Sequence, residues 1–141
     1  MSHILGEKVA LRLVKPQRCR VVYQIFLDDL AIGFIELDQI AWRSGEAELK
    51  IEIVESKLHG HGYGTDAVVA LLNHAFVTMN LNRVYLRVHA TNKLALRCYE
   101  KAGLKKEGRL QRITERNREE EIFLMGITKD TFLKQTRPWA V

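Results

Sequence analysis

The sequence predicts an α+β domain built on a mixed, mostly antiparallel sheet. The first half reads as successive strands joined by tight turns, and the hydrophobic period then turns helical at Gly64. A strand, a second helix and two further strands follow. One strand–helix–strand passage inside a run of hairpins points to a mixed sheet rather than a doubly wound one.

The elements follow in chain order. Met1-Ser2-His3-Ile4 runs straight into strand-like sequence, and Val9 to Val14 alternates until Pro16 ends it. Val21 to Leu27 is rich in β-branched and aromatic residues. Asp28-Asp29 then makes a turn, and Ala31 to Leu37 returns as the second arm of a hairpin. Trp42 to Gly45 is another turn. In the next strand, Glu46 to Val54, Leu49, Ile51 and Ile53 share one face and Glu48, Lys50 and Glu52 the other. From Gly64, the residues Val68, Leu71, Leu72, Ala75 and Met79 recur at helical spacing until about Asn80. Arg83 to Val88 is again a strand. Asn92 can cap a second helix with the stripe Ala95, Cys98, Tyr99 and Ala102, stopped at Gly103. Strands at Leu104 to Ile113 and Glu120 to Ile127 flank a polar turn at Glu115 to Arg118, and Pro138 closes a short tail.

Bulk properties narrow the function classes. The 141 residues suit one domain, taken as 1–141, without repeat or linker. With 47% hydrophobic and 28% charged residues, the chain can bury a core and stay soluble. No run approaches the ~20 apolar residues of a membrane span, and no signal peptide is apparent. Cys19 and Cys98 lack disulfide or metal spacing and read as reduced thiols, which points to the cytoplasm. The net charge of +5 is scattered, and its densest stretch, Arg109 to Arg118, is broken by Glu115 and followed by Glu119-Glu120-Glu121. No nucleic-acid or membrane partner is expected on that basis.

The segment that carries chemistry is Lys57-Leu58-His59-Gly60-His61-Gly62-Tyr63-Gly64-Thr65, three alternate glycines between a strand and a helix. Glycine lets the backbone fold tightly with N–H groups facing outward, and a helix N-terminus adds to an anion site suited to phosphate. A Walker A loop would need Gly-Lys-Ser/Thr, and a dinucleotide fingerprint would need GxGxxG. Neither is present. His59 and His61 lack a supporting carboxylate or cysteine, so no metal is expected.

Two linked motifs resemble the GCN5-related N-acetyltransferase (GNAT) superfamily, in its ribosomal-protein and spermidine acetyltransferase-like branch. His59-Gly60-His61-Gly62-Tyr63-Gly64 is similar to that family's Gln/Arg-x-x-Gly-x-Gly/Ala phosphate loop, with His59 in the first position. Asn92 to Leu104 is similar to Asn-x-x-Ala-x-x-x-Tyr-Glu-Lys-x-Gly-Phe, with Leu104 replacing the aromatic residue. The resemblance covers roughly Phe34 to Phe132. It implies a GNAT-like sheet with a central strand–helix–strand–helix unit that binds acetyl-CoA as cosubstrate. A bulged strand would open a gap in which pantetheine pairs with Ile53, Val54 and Glu55. The pyrophosphate would rest on N–H groups of His59, Gly60, His61, Gly62, Tyr63, Gly64 and Thr65. Asn92 would bond the pantetheine arm, and Tyr99 would protonate the leaving thiolate.

Each role has a structural rival. Asn92 serves equally as a helix cap, and Tyr99 lies on an apolar stripe that core packing alone would explain. Cys98 on that stripe is an unpromising nucleophile, because the family attacks directly without an acyl-enzyme. Glu48 is the leading base for deprotonating an amine, with Glu36, Glu52 and His89 behind it; a cross-strand partnership with lysine or arginine is its alternative. The family also places two helices between its first two strands, whereas here only Lys15-Pro16-Gln17-Arg18-Cys19-Arg20 intervenes. The expectation is therefore transfer of an acetyl group to a primary amine: a polyamine, a protein N-terminus or another small amine. A homodimer could complete the open acceptor side, and a non-catalytic coenzyme A-binding or regulatory module is the alternative.

Overall fold

The computed structural model describes residues 3–135; Met1, Ser2 and the tail around Pro138 lie outside them. The strands are β1 (His3–Leu5), β2 (Ala10–Pro16), β3 (Val21–Leu27), β4 (Leu30–Ala41), β5 (Glu46–Ile53), β6 (Arg83–His89), β7 (Lys105–Ile113) and β8 (Glu119–Thr128). The helices are α1 (Tyr63–Asn73), α2 (Lys93–Lys101) and α3 (Lys129–Lys134). Among the described residues all strands join one sheet in the order β1-β2-β3-β4-β5-β6-β8-β7. Only the β5–β6 pair is parallel. The mixed, mostly antiparallel sheet expected from the sequence is thus the one observed.

The hairpins form where turn chemistry permits. Asp28 (φ 54), Gly45 (φ 75) and Asn117 (φ 58) take the left-handed backbone that the three tight turns require. β2 turns directly into β3, with Gln17 N–H donating to Arg20 O at 2.9 Å, so no helix fits in that link. Two short elements exceed the sequence reading. β1 pairs with β2 over three residues, and α3 starts where the Thr128 hydroxyl accepts the Thr131 N–H at 3.3 Å.

One core lies between the sheet and the helices. Leu11, Ile25, Ile35, Leu37, Leu49, Val84, Leu86 and Ile127 point from the sheet toward Val68, Leu71, Leu72 and Ala75 of the helical segment. Each such leucine contributes about 1.5–3 kcal/mol by leaving water. α1 continues as a wider π turn at His74–Thr78, and Phe76 there meets Phe132 of α3 with ring centroids 5.4 Å apart. α2 packs beside α1 at Gly64, where an added Cβ would sit 3.4 Å from Cys98 Sγ.

The other face of the sheet carries no helix among the described residues. Glu46, Glu48, Lys50 and Glu52 of β5 alternate away from the core, opposite Glu36 and Asp38 of β4. Ion pairs cross that face: Arg20–Glu36 at 2.6 Å, Lys50–Asp38 at 3.1 Å and Arg87–Glu48 at 2.9 Å.

Candidate active site

β5 and β6 pair over only Glu46–Arg83, Ala47–Val84 and Glu48–Tyr85, after which they part. β5 itself stays paired with β4 as far as Ile53, and Val54 N–H donates to Ile32 O at 2.9 Å. Antiparallel bonding alternates, so the N–H and C=O groups of Ile53 and Ile51 face the split. A strand edge is thus left open inside the sheet. The register shift nearest this split lies on β4, between Asp38 and Ala41, with Gln39 at φ 49, whereas β5, the strand expected to bulge, keeps its register from Glu48 to Ile53.

The glycine loop closes one end of the split. Gly60 (φ +83) and Gly62 (φ +84) take left-handed conformations that strain any other residue. Among the described residues no side chain caps α1, and its first intrahelical donor is Asp66 N–H to Gly62 O at 3.0 Å. The preceding N–H groups of the first turn therefore have no helical acceptor, which creates a positive pole facing the loop. Strand edge, loop and α2 enclose a cleft of about 440 Å³.

α2 supplies the polar groups of the cleft wall. Asn92 Oδ1 accepts the Ala95 N–H at 3.2 Å as a helix cap, leaving its amide NH₂ to donate. Tyr99 is 8% exposed and belongs both to the core and to the cleft wall. Burial, with a smaller effect from Cys98, pushes its phenol up to about 12. The phenol is therefore neutral at neutral pH. Burial also raises the Cys98 thiol, against a Thr65 hydroxyl bonded to its sulfur, which disfavours a thiolate nucleophile.

Of the expected site residues, Ile53, His59, Gly60, Gly62, Gly64, Thr65, Asn92 and Tyr99 line this cleft. Val54, Glu55, His61 and Tyr63 lie outside its lining; Val54 is exposed, and the His61 and Tyr63 rings stack at 5.7 Å. His59 Nε2 bonds Ile53 O at 2.9 Å and His61 Nε2 bonds Lys57 O at 3.1 Å, so both rings are donors to carbonyls. Among the described residues no group of three or more His, Cys, Asp and Glu is arranged to hold a metal.

Glu48 stands at the apex of the split, on the face away from the helices. It is 3% exposed and paired with Arg87 through two bonds, at 2.9 and 3.3 Å. The cross-strand partnership weighed for Glu48 is therefore present, and buried on the carboxylate side. Glu36 is held by Arg20, Glu52 lines the cleft, and His89 sits exposed at the end of β6. Burial raises the neighbouring Tyr85 phenol, and the Glu48 charge raises it further. The Arg109–Arg118 stretch does not form a basic stripe, since Arg109 pairs with Glu121 and Arg112 with Glu120.

Sequence reasoning missed three residues. Arg97 and Lys101 line the cleft as cations, and their i, i+4 spacing on α2 was the available signal. Asp66, to which the sequence reading gave no role, is buried and accepts the N–H groups of Glu7, Lys8 and Val9 at 2.9, 2.7 and 2.9 Å. Those partners lie 57 to 59 residues away, beyond any local pattern.

A family model described as acetyltransferase (GNAT) domain matches residues 7–105. Spermidine N(1)-acetyltransferase of Vibrio cholerae serotype O1 is 31% identical over 99 residues, covering 70% of this chain and 52% of that protein. The Escherichia coli K12 enzyme of the same name is 33% identical over 78 residues, covering 55% and 41%. The chain thus spans about half the length of the curated relatives it matches. Among solved structures, spermidine N-acetyltransferase from Vibrio cholerae in complex with CoA and spermine gives a TM-score of 0.75 at 25% identity, over 83% of this chain and 70% of that one. A chimera of the Vibrio cholerae enzyme gives 0.78 at 25% identity, over 84% and 72%.

Proposed function

The chain belongs to the GNAT acetyltransferase family, and from that premise we propose that it transfers the acetyl group of acetyl-CoA to a primary amine, with a polyamine as acceptor. The observation that carries this reading is the split between β5 and β6, closed by an uncapped helix N-terminus and walled by Tyr99. The open edge at Ile51 and Ile53 suits the amides of a pantetheine arm, which would add as a short strand. For that amide to reach Ile53 O, the His59 ring must swing away. The Asn92 amide can hold the arm, and the loop N–H groups can hold the pyrophosphate. Arg97 and Lys101 bring cations to the same ligand.

In this reading the thioester supplies the electrophilic carbonyl. The split holds the amine against it, which contributes most of the rate gain through positioning. The amine nitrogen bonds to the carbonyl carbon, the carbon–sulfur bond breaks, Tyr99 gives its proton to the departing sulfur, and the second proton that the nitrogen sheds as the amide forms returns to Tyr99 through solvent. Tyr99 is a weaker acid than an ordinary thiol, whose pKa is about 8.5. The same burial disfavours a bare thiolate in the cleft, so donation from a neutral phenol is the supportable role. Glu48 takes the ammonium proton through water from the opposite face, in proposed exchange with its Arg87 partner.

The polyamine acceptor is supported by the names of the relatives and by the exposed Glu52 carboxylate, while Glu36, Asp38 and Glu48 on the same face are paired with Arg20, Lys50 and Arg87. A cytoplasmic single domain is proposed from the two free cysteines, and no described helix is long and apolar enough to cross a membrane. We also propose a homodimer that walls the acceptor side. A thiol-release assay with acetyl-CoA and a panel of spermidine, spermine, an amino sugar and a free-N-terminus peptide tests the reading. Release stimulated most by the polyamines is expected. Tight coenzyme A binding with no release across the panel would select the non-catalytic alternative, which the absent acceptor-side helices motivate.

A further inference from the structure

Resting on the acetyl-CoA reading, we propose that Lys8 is a positioning residue for the phosphate loop, aiming the Gly62 N–H at the ligand from behind. Lys8 Nζ donates to His61 O at 3.2 Å. The His61–Gly62 peptide is trans and planar, so its C=O and N–H point in opposite directions. Gly62 lines the cleft and Lys8 does not. Fixing the carbonyl toward Lys8 therefore turns the N–H of the same peptide toward the cleft. That N–H has no protein acceptor among the described residues. The ammonium also polarises the peptide, making its N–H a stronger donor to an anion.

The sequence provides the clamp at three points. Asp66 gathers the N–H groups of Glu7, Lys8 and Val9, which fixes the backbone from which Lys8 reaches. Gly6 is required there, because a Cβ at that position would run into the Asp66 carboxylate. Gly62 is required by its backbone, with φ at +84, and a Cβ there, 2.8 Å from Lys8 Nζ, would displace the ammonium. Strand entry, helix start and loop thus form one connected support.

The test compares acetyl-CoA with acetyl-pantetheine, which shares the thioester and arm but lacks phosphates. Kinetics by thiol release are measured for the wild-type chain, Lys8→Met and Lys8→Arg, with coenzyme A binding followed by calorimetry and folding by thermal melts. The expected result is that Lys8→Met loses about tenfold more kcat/KM with acetyl-CoA than with acetyl-pantetheine, mainly through KM, and that Lys8→Arg recovers part of it. Equal losses with both donors, or a loss tracking unfolding, overturn the positioning role. If wild-type chain binds no coenzyme A, the acetyl-CoA reading itself fails, which this design separates from failure of Lys8 alone.

Discussion

The two faces of the sheet are built by different means. On the helical face, buried leucines, an uncapped helix start and a glycine loop with fixed positive φ assemble a cleft from backbone geometry. On the opposite face the sheet is bare among the described residues, and its order comes from crossing ion pairs such as Arg20–Glu36 and Lys50–Asp38. Backbone donors held by a packed core are in place before a ligand arrives. Exposed ion pairs are screened, adjustable and individually weak. The donor side of the proposed reaction is thus pre-formed apart from the His59 ring, while the acceptor side must be defined by charge or by another subunit.

Substitutions on either face test that contrast. The largest expected effect is on the helical face: Tyr99→Phe should lower kcat by about 10²–10⁴-fold while leaving coenzyme A affinity within a factor of two, as read by thiol release and calorimetry. A full-rate variant would remove Tyr99 from the chemistry. On the bare face, Glu48→Gln should lower the rate with spermidine about tenfold at neutral pH. That deficit should shrink toward pH 10, where the acceptor amine loses its proton unaided. A deficit independent of pH would assign Glu48 to structure alone.

Stability should show the same asymmetry. Asp66→Ala leaves three backbone N–H groups without their carboxylate, one of them buried, and should cost about 3 kcal/mol in urea denaturation. The raised Tyr99 phenol adds a pH signature. The unfolded chain loses that proton near pH 10, the folded one only near 12. Stability from this group is therefore full below pH 10 and falls by about 2–3 kcal/mol between pH 10 and 12. Tyr99→Phe should flatten that part of the curve. The smallest effect belongs to the exposed Arg112–Glu120 pair, where Arg112→Ala should shift stability by no more than about 0.5 kcal/mol.

Much of the fold was legible because its signals are local. The alternation of Leu49, Ile51 and Ile53, the stripe Val68–Leu71–Leu72–Ala75 and the Asn92 cap each lie within a few residues, and each appears where expected. β1 and α3 were missed because elements of three and six residues are too short to show a period. The glycine loop was legible for the same local reason. What the sequence hid is long-range: Asp66 reaching the turn before β2, Arg87 meeting Glu48 from 39 residues away, and the parting of β5 from β6. A carboxylate in a helix looks the same in sequence whether it faces water or three backbone donors.

The contrast between the faces is tested most directly by titrating coenzyme A into the chain calorimetrically with no amine present. A pre-formed donor side predicts one site per chain with a micromolar dissociation constant, unchanged when spermidine is added. Binding that is undetectable, or that appears only once the amine is present, would contradict it.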